Sequence, residues 1–391
     1  MIRRRFGRTE IQMPVITMGG MRFQKSWAED KPEDIEKAQQ ENVNAIVKKA
    51  LSLDVNHIET ARGYGSSEFQ LGKCIVDIPR EKFILQSKVV PNADPEVFKS
   101  NFYKSLELLQ VEYLDLLGLH GINNDEILDV ALKTCIPLVR DFQKQGMVKH
   151  VGFSTHGQAS TINKAIDSDE FDYVNLHYYY IDQSNMSCIE KATQRDMGIF
   201  IISPNDKGGK LYDPPQKLCN MVAPFTPMEF NNMFCLKDER IHTLSMGVSS
   251  PMDFDHHVES LRFLKDEMEE HSRVCSELNG ALENVFPTDL KTEISKHCLD
   301  FENIPNKVNI FVISRLWSLA KAFDLIGYGT MRYNLIGNGG HWFPGSQYEN
   351  GFKKEIEDYL KPCPFASEIV EILEECSDLF KGEKQKRLSQ S

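Results

Sequence analysis

The chain has 391 residues, which exceeds one small domain and suits one large domain with an appendage, or two domains. Its formal net charge of −12, with no long basic run, argues against a nucleic-acid partner, and no apolar run approaches the roughly 18 residues of a membrane span. Nine scattered cysteines, an odd number with no C-x-x-C pair, favour reduced thiols in the cytoplasm over a disulfide framework.

Short apolar runs rich in β-branched residues recur along the first two thirds of the chain. We predict strands at 14–20, 55–61, 82–89, 112–120, 149–155, 172–179, 198–204 and 241–248. Between them, apolar residues recur at intervals of three and four, as on helices packed against a sheet. Eight such alternations fit a parallel sheet closed into a (β/α)8 barrel, which usually takes about 250 residues. A doubly wound open sheet is the alternative, but no G-x-G-x-x-G follows the first strand.

The composition changes at about residue 266. The segment 273–298 is polar with little strand signal, and 310–336 is a strong helix candidate. We therefore predict a barrel domain over 1–265 and a mainly helical extension over 266–391.

Polar side chains stand at the carboxyl ends of the predicted strands, where barrels of this kind carry their chemistry. Glu59 and Tyr64 follow the second strand, Lys88 ends the third and His120 ends the fourth. An ammonium near a tyrosine lowers the pKa of the phenol, and a carboxylate keeps that ammonium charged and in position. With a histidine to orient the substrate, such a group can donate a proton to a carbonyl oxygen. The hydride must then come from a cofactor.

In this order the motifs resemble those of the aldo/keto reductase family. HIETARGYGSSE (57–68) is similar to the family signature D-T-A-x-x-Y-G-x-S-E, with Glu59 in the place of the aspartate. Later strands continue the resemblance in LQSKV (85–89), LDLLGLHGIN (114–123), VKHVGFSTHG (148–157), FDYVNLHYYYID (171–182), FIISPNDKGGKLY (200–212) and TLSMGVSSPMDFDHHV (243–258). The resemblance covers roughly residues 2–262. It implies a (β/α)8 barrel that binds NADP(H) and reduces aldehydes or ketones.

The resemblance also implies roles for individual residues. Tyr64 is the expected proton donor, tuned by Lys88 and Glu59, and His120 orients the substrate. The expected cofactor contacts are Ser154, Thr155 and Asn175 at the nicotinamide carboxamide, Ser203 where the family often stacks an aromatic, Lys207 and Gly208 at the pyrophosphate, and Gly247, Ser249, Ser250 and Asp253 at the adenosine phosphate. The resemblance implies NADP(H). A 2′-phosphate favours an arginine partner and none stands in the turn after the eighth strand, so NAD(H) is kept as the alternative.

The tail resembles the C-terminal extension of the aldo/keto reductase branch that carries a ferredoxin-like iron–sulfur segment. Only Cys298 and Cys363 stand near the places where that branch groups its cysteines, and a [4Fe–4S] cluster needs clustered thiolates. We therefore expect the helices without an iron–sulfur cluster. The histidines at and near the strands are candidate metal ligands, and they are His57, His120, His150, His156 and His177. No two of them share a helix at i, i+4 and no acidic pair accompanies them, so we expect no metal site.

These patterns predict a cytoplasmic NAD(P)H-dependent oxidoreductase that acts on a small carbonyl substrate, with no nucleic-acid or membrane partner. A second hypothesis is a nicotinamide-binding sensor or interaction subunit with little turnover, because Glu59 is longer than the family's aspartate and Ser203 replaces an aromatic. A third, a metal-dependent hydrolase, would require bound metal. The sequence does not specify the substrate, protein partners or oligomeric state.

Overall fold

The computed structural model of the protein describes residues 1–24, 34–338 and 340–383. Its strands are β1 Arg3–Arg5, β2 Gln12–Pro14, β3 Ile16–Gly19, β4 His57–Glu59, β5 Ile84–Val89, β6 Leu114–His120, β7 Val148–Ser154, β8 Tyr173–Leu176, β9 Gly198–Ile201 and β10 Thr243–Gly247. Its helices are α1 Lys37–Ser52, α2 Ser67–Ile75, α3 Pro95–Leu109, α4 Asp125–Val130, α5 Ile136–Lys144, α6 Ala159–Asp167, α7 Met186–Gln194, α8 Gln216–Val222, α9 Pro227–Leu236, α10 Asp253–Asp266, α11 Met268–Val285, α12 Thr288–Cys298, α13 Ile310–Phe323, α14 Ile326–Tyr333, α15 Lys353–Leu360 and α16 Ala366–Leu379.

Strands β3 to β10 form a closed parallel barrel in which each strand pairs with the next along the chain and β10 returns to pair with β3. These eight strands are the predicted ones, and the predicted (β/α)8 fold is confirmed. Every residue of β4, β6 and β9 is buried. Strands of such a barrel face packed side chains inside and helices outside, which explains why their sequences read as continuous apolar runs rather than as alternating patterns.

An antiparallel hairpin of β1 and β2 precedes the barrel and was not predicted. Phe6, between the two strands, is fully buried in a cluster with Leu116, Tyr173 and Phe200. A side chain on Gly198, the first residue of β9, would come within 2.7 Å of the Phe6 ring, so this close approach requires glycine. The hairpin therefore covers the amino end of the barrel and leaves the carboxyl ends of the strands for the site.

The helical stretch after β6 contains a π-helical turn at 131–135 between α4 and α5. Pro137 stands in the first turn of α5, where its missing N–H and its ring disrupt the regular hydrogen-bonding pattern of the preceding turn. A wider turn accommodates this disruption, so one amphipathic pattern in the sequence gives two helices joined by a π turn.

The chain folds as two compact units. The first comprises Met1–Gly208 and Met228–Glu267 and contains the barrel. The second comprises Gly209–Pro227 and the described chain from Met268 onward, and its described elements are helices, with α13 packed against α11, α12, α14 and α16. The predicted domain division at 265/266 stays a prediction. Among the described residues, no helix combines the length and the apolar character that crossing a bilayer requires.

Candidate active site

The loop between β4 and α2 places Tyr64 at the carboxyl end of the barrel. The backbone N–H of Arg62 donates to the carbonyl of Lys88 at 2.8 Å, which ties the loop to the neighbouring strand β5. The hydroxyls of Thr60 and Ser67 lie 2.9 Å apart and join the two ends of the loop. The loop is thereby held from both sides, and the position of Tyr64 is fixed by the strands.

Lys88 and Glu59 form an ion pair between β5 and β4, and their residues are only 1% and 3% exposed. The ammonium of Lys88 also donates to the carbonyl of Thr60 at 2.7 Å. The second carboxylate oxygen of Glu59 accepts a hydrogen bond from the hydroxyl of Ser245 on β10 at 3.1 Å. Burial lowers the pKa of Lys88 well below its usual value, and the adjacent carboxylate opposes that loss of charge.

Tyr64 lies between Lys88 and His120. The ammonium of Lys88 is 4.7 Å from the centre of the half-buried Tyr64 ring. The ring of His120, which is buried at the end of β6, meets the Tyr64 ring edge to face at 5.6 Å between centroids. The four residues expected to be catalytic are therefore brought into one group.

Asn175 is next to this group around the barrel. In the strand register His120 is opposite Ser154, and Ser154 is opposite Asn175. Asn175 is fully buried, and neither its side-chain nitrogen nor its side-chain oxygen has a hydrogen-bond partner within the part of the chain that the structure describes. A buried amide without partners is costly, so this position suits a bound polar group.

Ser154 and Thr155 hold the loop that follows β6. The hydroxyl oxygen of Ser154 accepts the backbone N–H of Gly121 at 3.1 Å. The hydroxyl of Thr155 donates to the carbonyl of Ile122 at 2.6 Å and accepts the N–H of Gly157 at 2.9 Å. Both side chains thus have structural contacts of their own beside the site.

Lys207 lies against two histidines that were not predicted as site residues. Its ammonium is 3.1 Å from Nδ1 of His156 and 3.2 Å from Nε2 of His177. Nδ1 of His177 is 2.6 Å from the hydroxyl of Tyr179. His156 directly follows the predicted strand 149–155, and His177 lies near the end of the predicted strand 172–179. Those positions were the signal available in the sequence.

Ser203 and Gly208 shape the turn after β9. Ser203 has a φ of 52°, a left-handed conformation that is uncommon for a residue with a side chain. A side chain on Gly208 would come within 2.0 Å of the carbonyl oxygen of Pro204, so the turn requires glycine there. At the end of β9, the carbonyl of Ile202 accepts a hydrogen bond from the hydroxyl of Tyr179.

The carboxylate of Asp253 accepts hydrogen bonds from the backbone amides that were expected to bind a phosphate. The N–H groups of Ser249 and Ser250 donate to one of its carboxylate oxygens at 2.7 and 3.1 Å, and the hydroxyl of Ser250 donates to the other at 2.9 Å. Burial opposes the charge of this carboxylate, but these hydrogen bonds outweigh it and lower the pKa of Asp253. In this conformation the turn therefore already holds an anion from the chain itself.

The side chain of Arg22, which follows the first barrel strand in sequence, lies against the same turn. It lies in the short turn Gly20–Phe23 after β3, and a side chain on Gly247 would come within 2.9 Å of its Nε. An arginine therefore does stand beside the turn that follows β10, although none is present in the sequence of the turn itself. Closure of the barrel, which pairs β10 with β3, brings the two together.

Residues 15–214 match the model of the aldo/keto reductase family. Protein REDOX 2 of Catharanthus roseus is 26% identical over 160 residues, which are 34% of this chain and 49% of that protein. The NADH-specific methylglyoxal reductase of Escherichia coli is 22% identical over 177 residues, 39% of this chain and 53% of that protein. The chain thus spans about half the length of these curated relatives.

Solved structures extend the likeness over a larger share of the chain. An aldo-keto reductase from Bacillus halodurans in its holo form has a TM-score of 0.60 at 18% identity, covering 71% of this chain and 96% of its own. An aldo/keto reductase from Klebsiella pneumoniae in complex with NADP and acetate has a TM-score of 0.58 at 18% identity, covering 73% and 95%. At such identities these structures show the shared fold.

Proposed function

The chain belongs to the aldo/keto reductase family, and from that premise we propose that it reduces aldehyde or ketone carbonyls with a nicotinamide cofactor. The grouping of Tyr64, Lys88, Glu59 and His120 at the carboxyl end of the barrel carries the proposal. NADP(H) is the proposed cofactor, with NAD(H) as the alternative. The proposed compartment is the cytoplasm, which the nine free cysteines support.

The residues next to the catalytic group fit a nicotinamide. The amide of Asn175 offers a buried donor and a buried acceptor, both without a partner among the described residues, and a carboxamide has the complementary pair. Ser154 and Thr155 would complete this contact from the end of β7. When bound, the reduced cofactor supplies the hydride.

Tyr64 would act as the general acid. As a carbonyl carbon accepts the hydride, negative charge develops on its oxygen, and the phenol donates its proton there. The ammonium of Lys88, 4.7 Å from the centre of the ring, stabilises the phenolate that remains. His120, packed edge to face on Tyr64, limits where the carbonyl can lie and orients it.

Glu59 would act by holding Lys88. Its two oxygens are bound by Lys88 and by Ser245, so the carboxylate is fixed between three strands. The extra methylene relative to the family's aspartate therefore does not prevent contact with the lysine. This contact favours the reductase hypothesis, in which the group is catalytic. It is less expected for a barrel that binds the cofactor with little turnover.

Single-turnover oxidation of bound NADPH tests the proposal. The purified full chain is first titrated with NADPH and with NADH by fluorescence, and the better-bound cofactor is then mixed with a panel of aldehydes and ketones. We expect oxidation of the bound cofactor by at least one class of carbonyl. Tight binding without oxidation across the panel would instead indicate the sensor or interaction subunit.

A further inference from the structure

Three side chains of metal-binding types meet in the second unit. A carboxylate oxygen of Glu293, an imidazole nitrogen of His297 and the sulfur of Cys363 all lie within 4.8 Å of one another. Glu293 and His297 are four residues apart on α12 and therefore share a helix face. Cys363 stands in the turn between α15 and α16.

We propose that Glu293, His297 and Cys363 bind one Zn²⁺ ion, a site separate from the reductase residues. Zinc takes oxygen, nitrogen and sulfur ligands, which lie roughly 3.3–3.6 Å from one another around a tetrahedral ion. Oε2 of Glu293 and Nε2 of His297 are already 3.2 Å apart, and the sulfur lies within 4.8 Å of one ligand atom of each residue. A shift of the thiol by about 1 Å completes the arrangement.

The charges of the three ligands balance the ion. The thiol of Cys363 loses its proton to solvent when it binds, and the resulting thiolate and the carboxylate of Glu293 together neutralise the two positive charges. Because a ligating thiol must be deprotonated, metal loading strengthens as the pH rises.

The group is reachable from water although its sulfur is buried. The side chains of Glu293 and His297 are 20% and 22% exposed, whereas Cys363 is buried. The ammonium of Lys296 lies 3.5 Å from the Glu293 carboxylate and competes for it, but the Lys296 side chain is 64% exposed and can turn into solvent. An ion can thus reach the ligands without opening the helices.

Zinc fits this ligand set better than an iron–sulfur cluster does. Only one of the three ligands is a thiolate, whereas a [4Fe–4S] cluster takes clustered thiolates. Three protein ligands leave the fourth zinc position to water. The ion would join α12 to the α15–α16 turn, beside a contact in which the hydroxyl of Tyr359 donates to the carbonyl of His297 at 2.8 Å.

Titration of the chelator-treated full chain with Co²⁺ alone, followed by displacement with Zn²⁺, tests the site. Co²⁺ reports a thiolate ligand through a near-ultraviolet charge-transfer band and four-coordination through intense visible bands. We expect both signals, saturating at one equivalent, and their loss when Zn²⁺ is added. Cys363→Ser should abolish the charge-transfer band, and Cys376→Ser, at another buried thiol in the same unit, should retain it.

Glu293→Gln and His297→Gln test the site without substituting the buried Cys363. Both side chains are partly exposed on a helix surface, so these variants should still fold. Each should weaken Co²⁺ binding by more than the roughly 10–100-fold that the loss of an outer-shell partner costs. A wild-type chain without a charge-transfer band, or a band that persists at one equivalent in Cys363→Ser, would overturn the proposal. So would unchanged affinity in both glutamine variants.

Discussion

The carboxylate of Glu59 pairs with the ammonium of Lys88 inside the barrel, and the same carboxylate accepts a hydrogen bond from Ser245 on the strand that closes the barrel. Two buried charges are tolerated only when they are paired and their remaining hydrogen-bonding positions are filled. The pair therefore links the catalytic proposal to the stability of the fold, because removing either charge leaves the other uncompensated.

Glu59→Gln should destabilise the protein by roughly 3–5 kcal/mol, because it leaves the buried ammonium of Lys88 without its counter-charge. Urea unfolding measures this change. Ser245→Ala removes only one hydrogen bond to the same carboxylate and should cost about 1 kcal/mol. Equal stability of Glu59→Gln and wild type would show that Lys88 does not need the carboxylate.

Asn175→Leu should separate cofactor binding from stability. The amide has no hydrogen-bond partner among the described residues, so an apolar side chain of similar size should leave the cofactor-free protein as stable as wild type or more stable. NADPH binding should weaken by roughly 1–3 kcal/mol, because the carboxamide loses its partner. Fluorescence titration and thermal unfolding measure the two effects. Unchanged affinity would remove Asn175 from the proposed cofactor contacts.

Asp253→Asn should favour NADPH over NADH. The carboxylate occupies the amides of Ser249 and Ser250, and its charge repels a phosphate placed at this turn. Removing the charge should tighten NADPH binding by about 1 kcal/mol or more and leave NADH binding nearly unchanged. Asp255→Asn, the same change one half-turn along α10, is the matched control. An equal effect of both variants would indicate a general charge effect rather than a phosphate contact.

His57 should make the protein less stable in acid. Burial lowers the pKa of this histidine to about 3, and its Nδ1 lies 2.7 Å from the hydroxyl of Thr17. Below about pH 6.5 the unfolded chain therefore binds a proton that the folded chain refuses, and stability falls by up to roughly 1.4 kcal/mol per pH unit as the pH drops towards 3. His57→Gln should reduce this slope, measured by urea unfolding at several pH values. A slope unchanged by the substitution would contradict the pKa assignment.

The barrel was predictable because its signals are local. Each strand is a short apolar run and each helix has its own period, so eight alternations identify the fold without any knowledge of pairing. Parallel strands bring their carboxyl ends together, so the order of the strands along the chain predicts that three residues meet at one end of the barrel: Tyr64, Lys88 and His120.

Contacts that depend on closure of the barrel were not predictable in the same way. Ser245 reaches Glu59 and Arg22 reaches Gly247 only because the last strand pairs with the first. The hairpin at the amino end also escaped prediction, because its strands of three residues are too short for an alternating pattern to be recognised. The group around Cys363 depends on helix packing between distant segments, which no sequence spacing shows.

Tyr64→Phe tests the central claim most directly. The substitution removes only the hydroxyl, so the variant should bind NADPH with nearly the wild-type affinity. Single-turnover oxidation of the bound cofactor by an accepted carbonyl should slow by roughly 10²–10⁴-fold, the usual contribution of a general acid. Oxidation at the wild-type rate by Tyr64→Phe would contradict the assignment of Tyr64 as the proton donor.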